Sequence, residues 1–126
     1  MSGSHGRFVW YELMTSDVAA AEAFYGAVLG WEGQDCDIPG VTYKILSAGG
    51  NPVAGAMAMP PVCEGMDPNW TGYVAVEDVD AAAGRVAELG GTVHRAPDDI
   101  PGVGRFAIVA DPQGAVFALF RMEREA

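Results

Sequence analysis

Histidine and cysteine are scarce in this chain. The only histidines are His5 and His94, and the only cysteines are Cys36 and Cys63. The cysteines lie far apart and form no CxxC pair, so neither a structural disulfide nor a zinc site is indicated. A site needing two histidines would have to recruit the tail that carries His5. Basic residues are few as well: 7 Lys and Arg stand against 17 Asp and Glu, giving a formal net charge of −10. Nothing in such a balance neutralises phosphates, which argues against nucleic acid and against anionic membrane surfaces. No apolar run approaches the roughly 18 residues that a membrane span requires. The opening MSGSHGRF has no apolar core of its own, so no secretory signal is read and the expected location is cytoplasmic. Also missing are a Ser-His-Asp set, a phosphate loop and an HExxH motif.

What is present suits a packed fold. Half of the 126 residues are hydrophobic and 19% are charged, which fits one domain with a real core. Residues 1–6 read as a frayed tail and residues 7–122 as the domain. Residues 8–14 favour a strand, with Phe8, Trp10, Glu12 and Met14 on one face and Val9, Tyr11 and Leu13 on the other. Thr15-Ser16-Asp17 supplies N-cap candidates. Ala21, Phe24, Tyr25, Val28 and Leu29 then fall at helical spacing and predict one buried stripe, stopped by Gly30. Residues 31–40 read as loop or edge strand, 41–47 as strand, 48–51 as a glycine turn and 52–59 as a further strand. Residues 60–69, with Pro60, Pro61 and Pro68, read as a linker that holds Cys63.

The second half repeats this order. Residues 70–76 alternate as a strand. Asp78 or Asp80 caps a helix carrying Val79, Ala82, Ala83, Val86 and Leu89, and Gly90-Gly91 ends it. Residues 92–96 form a short strand, 97–104 a loop and 105–110 a strand. Asp111-Pro112-Gln113-Gly114 is a turn, and residues 115–121 form the last strand. Aligning Asp17 with Asp78 sets Trp10 on Thr71, Glu12 on Tyr73 and Leu13 on Val74. Aligning the late turns sets Tyr43 on Phe106, Ile45 on Ile108, Val53 on Val116 and Gly55 on Ala118. The expected fold is therefore α+β, two βαβββ repeats at 8–59 and 70–121. Pairing such units predicts a cup of mixed and antiparallel strands, with helices on the convex side and a concave cleft.

Asp17, Ala21, Phe24, Tyr25, Leu29, Gly30 and Trp31 together resemble a signature of the glyoxalase/bleomycin-resistance/extradiol-dioxygenase group, the vicinal oxygen chelate superfamily. Asp78-Val79-Asp80, Leu89-Gly90-Gly91 and Asp111-Pro112-Gln113-Gly114-Ala115 are similar to that family's second unit. The resemblance spans residues 7–121. More narrowly, VWYELMTSD, NPVAG, the Trp70–Tyr73 pair and PGVGRFAIVADPQGAVFALF look like the actinobacterial-antigen-type branch, whose members often carry two such domains in tandem; one is seen here. The resemblance implies a divalent metal held by His, Gln or Glu from four strand positions. In this chain those positions are Trp10, Gly55, Thr71 and Ala118. Indole, hydrogen and methyl do not bind a metal, and a single neutral hydroxyl binds one poorly. No metal and no cofactor is therefore expected.

The candidate ligand-binding residues are Trp10, Glu12, Met57, Trp70, Tyr73, Arg105 and Phe120. Trp10 offers an aromatic floor for an apolar or cationic ligand, or else fills the cleft or a dimer contact. Glu12 shares its face and reads as a ligand anchor or general base, or as the salt-bridge partner of Arg105 or Lys44. Arg105 is expected at the cleft rim, holding a ligand carboxylate or Glu12. Met57, Trp70, Tyr73 and Phe120 complete an aromatic and thioether lining suited to small apolar molecules. Phe24, Tyr25 and Leu29 are assigned to helix packing, and His94 to structure. No catalytic residue is assigned, and whether the protein is an enzyme stays open. The leading expectation is a metal-free, homodimeric binder of a small apolar or cationic molecule, as the bleomycin-resistance branch implies. The alternatives are a metal-dependent lyase or dioxygenase, and a non-catalytic partner whose cleft is a protein contact surface.

Overall fold

Both helices begin on an aspartate whose carboxylate closes the first turn. The computed structural model describes residues 5–38, 41–59, 67–100 and 102–123. Its elements run β1 (Phe8–Thr15), α1 (Val18–Leu29), β2 (Glu32–Ile38), β3 (Val41–Ala48) and β4 (Asn51–Ala58), then β5 (Asn69–Ala75), α2 (Val79–Glu88), β6 (Thr92–Ile100), β7 (Gly104–Ala110) and β8 (Val116–Met122). This is the α+β fold with its βαβββ order twice over. Asp17 accepts a hydrogen bond from the Ala20 amide and Asp78 from the Ala81 amide, each at 3.0 Å, satisfying an amide that the helix itself leaves open. Gly30 ends α1 in the left-handed region at φ 74°, where a side chain would be strained.

The chain divides into two compact units, Trp10–Thr71 and a second made of Met1–Val9 with Gly72–Ala126. In the Trp10–Thr71 unit the strands lie in the order β2-β3-β4-β1, with β1 parallel to β4 and the other pairs antiparallel. The second unit has the order β5-β8-β7-β6, with β5 parallel to β8. The registers agree position by position. Glu12 pairs with Gly55 and Tyr73 with Ala118; Ile45 pairs with Gly55 and Ile108 with Ala118; Tyr43 pairs with Met57 and Phe106 with Phe120. The repeat read from the sequence is thus a repeat of hydrogen-bonded geometry.

Each unit packs its helix on one sheet face. Val18 of α1 meets Leu13, Leu46, Ala54 and Ala56, with Ala21, Tyr25 and Trp31 packed against them. Val79 and Ala83 of α2 meet Ala107, Val109 and Leu119. Because strand side chains alternate, Trp10, Glu12, Tyr43, Ile45, Gly55 and Met57 fall on the face of their sheet away from α1.

Three local expectations are corrected. The apolar stripe of α1 is not one buried face: Phe24, Val28 and Leu29 are 59%, 60% and 52% exposed. Val18, Ala21 and Tyr25 pack on the core over the sheet, whereas Phe24, Val28 and Leu29 lie outside it. Residues 97–100, expected in a loop, extend β6. Pro97 is tolerated there because β6 is the last strand in its unit's order and its register slips between Arg95 and Asp98. Of the two readings of residues 31–40, the edge strand is the one formed, as β2. His5 and Gly6, read as frayed, are tied to β5 and the turn after it. The Glu77 amide donates to His5 Nδ1 at 3.0 Å and the Gly6 amide to the Ala75 carbonyl at 2.7 Å. Cys63 and residues 60–66 of the expected linker lie outside the described residues.

Candidate functional site

A chain of three polar side chains crosses the face of the Trp10–Thr71 unit that lies opposite α1. Trp10 Nε1 donates to Tyr43 Oη at 3.0 Å, and Tyr43 Oη donates to Glu12 Oε2 at 3.0 Å. Glu12 is 7% exposed, so its carboxylate is held by hydrogen bonding rather than by water. Burial first, and the neighbouring Glu12 second, push the Tyr43 phenol well above its usual value and keep it a donor at any working pH. Met57 and Cys36 are the strand neighbours of Tyr43, and Met14 pairs with Met57, all on this face. Cys36 is a half-buried free thiol.

Gly55 explains why the tyrosine fits. A Cβ on Gly55 would collide with Tyr43 Oη and Cζ, so the phenol lies directly over this glycine. Sequence reasoning singled out Trp10, Glu12 and Met57 but missed Tyr43, which joins the first two. The available signal was a tyrosine aligned with Phe106, two residues from the cross-strand neighbour of a glycine.

The remaining candidates go elsewhere. Tyr73 and Phe120 belong to the second unit and meet edge to face, with centroids 6.0 Å apart. Phe106 packs there as the strand neighbour of Phe120, under the guanidinium of Arg95 at 4.9 Å from its centroid. Trp70 points to the α1 side of its unit. It donates to Tyr25 Oη at 3.1 Å and stands edge-on to both Tyr25 and Trp31. Arg105 shares the face of Ala107 and Val109 and pairs with Asp80 and Asp99, at 2.7 and 3.1 Å. Lys44 pairs with Glu22 and Asp35, at 3.4 and 2.9 Å. Neither cation is the partner of Glu12, contrary to the salt bridge entertained for it. An open groove of about 490 Å³ runs along α2, lined by Val76, Val86 and Leu89 among others, with His5 and Arg85 in its wall. None of the candidate residues lines it.

The four positions at which the family resemblance implies metal ligands carry the donor set of Trp10, Gly55, Thr71 and Ala118. The Trp10 N–H is spent on Tyr43, Gly55 has no side chain, Ala118 offers a methyl, and the Thr71 hydroxyl donates to Asn69 at 3.3 Å. These groups do not fit a divalent ion. Among the described residues, no three His, Cys, Asp or Glu side chains gather in a metal-holding group.

A fold of two βαβββ units with matched registers defines a class, and comparison with known proteins agrees with it. Residues 10–120 match the model of the glyoxalase-like domain, and the chain belongs to that family, within the vicinal oxygen chelate superfamily. It is 44% identical over 117 residues to the Mycobacterium tuberculosis protein named "Putative glyoxylase CFP32", covering 92% of this chain and 44% of that one. It is 38% identical over 122 residues to the anthracycline biosynthesis protein DnrV of Streptomyces peucetius, covering 97% of this chain and 44% of that one. The chain thus spans about half the length of the curated relatives it matches. The methylmalonyl-CoA epimerase of Mycobacterium tuberculosis shares the fold at a TM-score of 0.58 and 18% identity, covering 98% of this chain and 93% of that one. Among the described residues no helix is long and apolar enough to cross a membrane.

Proposed function

We propose that this chain binds a small apolar or cationic molecule on the face carrying Trp10, Tyr43, Glu12 and Met57, without the family's usual metal. One observation carries the reading: the relay of 3.0 Å hydrogen bonds from Trp10 through Tyr43 to Glu12. It fixes an indole and a carboxylate side by side on a sheet face. An indole ring offers stacking and cation–π attraction, and a low-dielectric carboxylate adds preference for positive charge. The formal charge of −10 favours the approach of cations. Tyr73, Phe120, Trp70 and Arg105 enter this reading only as supporting structure, through the partners described above. The name of the Streptomyces relative suggests a probe, since an anthracycline is a planar aromatic bearing an amino sugar.

Tryptophan fluorescence titration with an anthracycline glycoside and with its uncharged aglycone tests the reading. Trp10→Ala should weaken both by at least about tenfold, about 1.4 kcal/mol. Glu12→Gln should weaken the glycoside more than the aglycone. Unchanged titrations in both variants would place the site elsewhere. A metal-dependent lyase or dioxygenase, the competing reading, requires stoichiometric divalent metal in the purified protein and loss of activity on chelation.

Self-association is proposed alongside. Phe24, Val28 and Leu29 expose an apolar surface on α1, whose only charged residue is Glu22. Sedimentation should give a dimer, and a monomer at micromolar concentration would remove the proposal.

A further inference from the structure

We propose that the Tyr43 phenol takes the side-chain space of strand position 55, so that a hydrogen-bonded hydroxyl displaces the ligand side chain that the family resemblance puts there. The inference deepens the metal-free reading above, and it rests on geometry within the Trp10–Thr71 unit alone.

Two strands bear on that phenol. Trp10 reaches it from β1 with its N–H, at 3.0 Å. Position 55 reaches it from β4, because a Cβ built on Gly55 runs into Oη before any other atom. Glu12, the register partner of Gly55, completes the arrangement by accepting the phenolic proton at 3.0 Å. A hydroxyl has one proton to give and two lone pairs to offer. Tyr43 gives the proton to Glu12 and one lone pair to Trp10. The glycine is therefore the condition for the tyrosine: any side chain at 55 would claim the space of the phenol.

The second unit shows the same strand positions without this device. Phe106 stands at the place of Tyr43, Ala118 at the place of Gly55 and Tyr73 at the place of Glu12. Its phenylalanine carries no hydroxyl, and its position 118 carries the methyl that position 55 cannot. The polar replacement is confined to one repeat.

Two measurements test the proposal. The first is a double-mutant cycle on urea unfolding. Gly55→Ala should lower the midpoint in the wild-type background and leave it unchanged or higher in a Tyr43→Ala background, because the methyl then has room. Equal effects in both backgrounds would overturn the proposal. The second is cobalt(II) absorption. The variant Trp10→His/Tyr43→Ala/Gly55→Glu should take up cobalt with visible d–d bands, whereas Trp10→His/Gly55→Glu, with Tyr43 retained, should take up at least tenfold less at equal concentration. A wild-type protein whose cobalt bands vanish on Glu12→Gln would overturn it, as would a folded triple variant that takes up none. Should the triple variant fail to fold, the unfolding cycle decides. Neither measurement uses the anthracycline probe. A wild-type chain that ignores the probe but shows the Gly55–Tyr43 coupling would therefore sink only the binding reading.

Discussion

Arg105 grips both carboxylate oxygens of Asp80, with Nε and one terminal nitrogen at 2.7 and 2.9 Å, and so ties β7 to the first turn of α2. The hydrogen bond from Arg105 is the main reason the Asp80 carboxyl is held below its usual 3.8. A carboxyl depressed in the folded state contributes stability above the unfolded pKa and loses it as pH falls through the folded value. Arg105→Gln should therefore lower the urea midpoint slightly at neutral pH, and the gap to wild type should narrow in acid, as pH falls below the ordinary carboxyl value of 3.8 and through the folded one. Denaturation series at neutral and acid pH check this, and a gap that persists in acid would mean the arginine acts through packing.

The phenol of Tyr43 bends the other arm of the pH profile. Its pKa is raised above the ordinary 10.0 by burial and then by Glu12, so the unfolded chain releases that proton first. Stability tied to it is complete below about pH 10 and drains away as pH rises toward the folded value. Tyr43→Phe should cost about 1–2 kcal/mol at neutral pH through the two lost hydrogen bonds, yet show a flatter alkaline decline. Unfolding midpoints from about pH 8 to about pH 11 compare the two slopes.

Burial separates two leucines of one repeat. Leu46 is 1% exposed within the helix-facing core, whereas Leu29 is 52% exposed at the end of α1. Leu46→Ala should cost about 2–4 kcal/mol of unfolding free energy. Leu29→Ala should stay within about 0.5 kcal/mol in protein too dilute to associate. A large loss at Leu29, measured in dilute protein, would mean that its surface is covered.

The helix caps should behave as a matched pair. Asp17→Ala and Asp78→Ala should each cost about 1 kcal/mol, and the asparagine variants should recover most of it. Circular dichroism melts of the four variants settle the matter, and recovery with alanine rather than asparagine would contradict the capping role.

Much of this architecture was legible in the sequence because it is carried by local chemistry. Asp17, Asp78, Gly30 and the Asp111–Gly114 turn each act within a few residues. Asp111, for instance, accepts from the Gln113 and Ala115 amides at 3.0 and 2.9 Å. Strand alternation likewise placed Trp10, Glu12 and Met57 correctly on one face. What depended on distant partners was not legible. Periodicity in α1 marked its apolar positions but not which of them the sheet would reach. Arg105 looked like a rim residue because nothing local reveals that Asp80 and Asp99 close on it. Tyr43 went unremarked because its role needs a glycine on β4 and two side chains on β1 at once, a convergence that no single stretch encodes.

The matched registers of the two units make each a control experiment for the other. Positions 12, 43, 55 and 57 have counterparts at 73, 106, 118 and 120 with the same strand addresses. One set carries glutamate, tyrosine, glycine and methionine, and the other tyrosine, phenylalanine, alanine and phenylalanine. The backbone accepts both inventories, so the lining behaves as cargo on a tolerant frame. Side chains can be transplanted between the addresses as complete sets, and new recognition can be sought there while the caps, turns and helix-facing cores are left untouched.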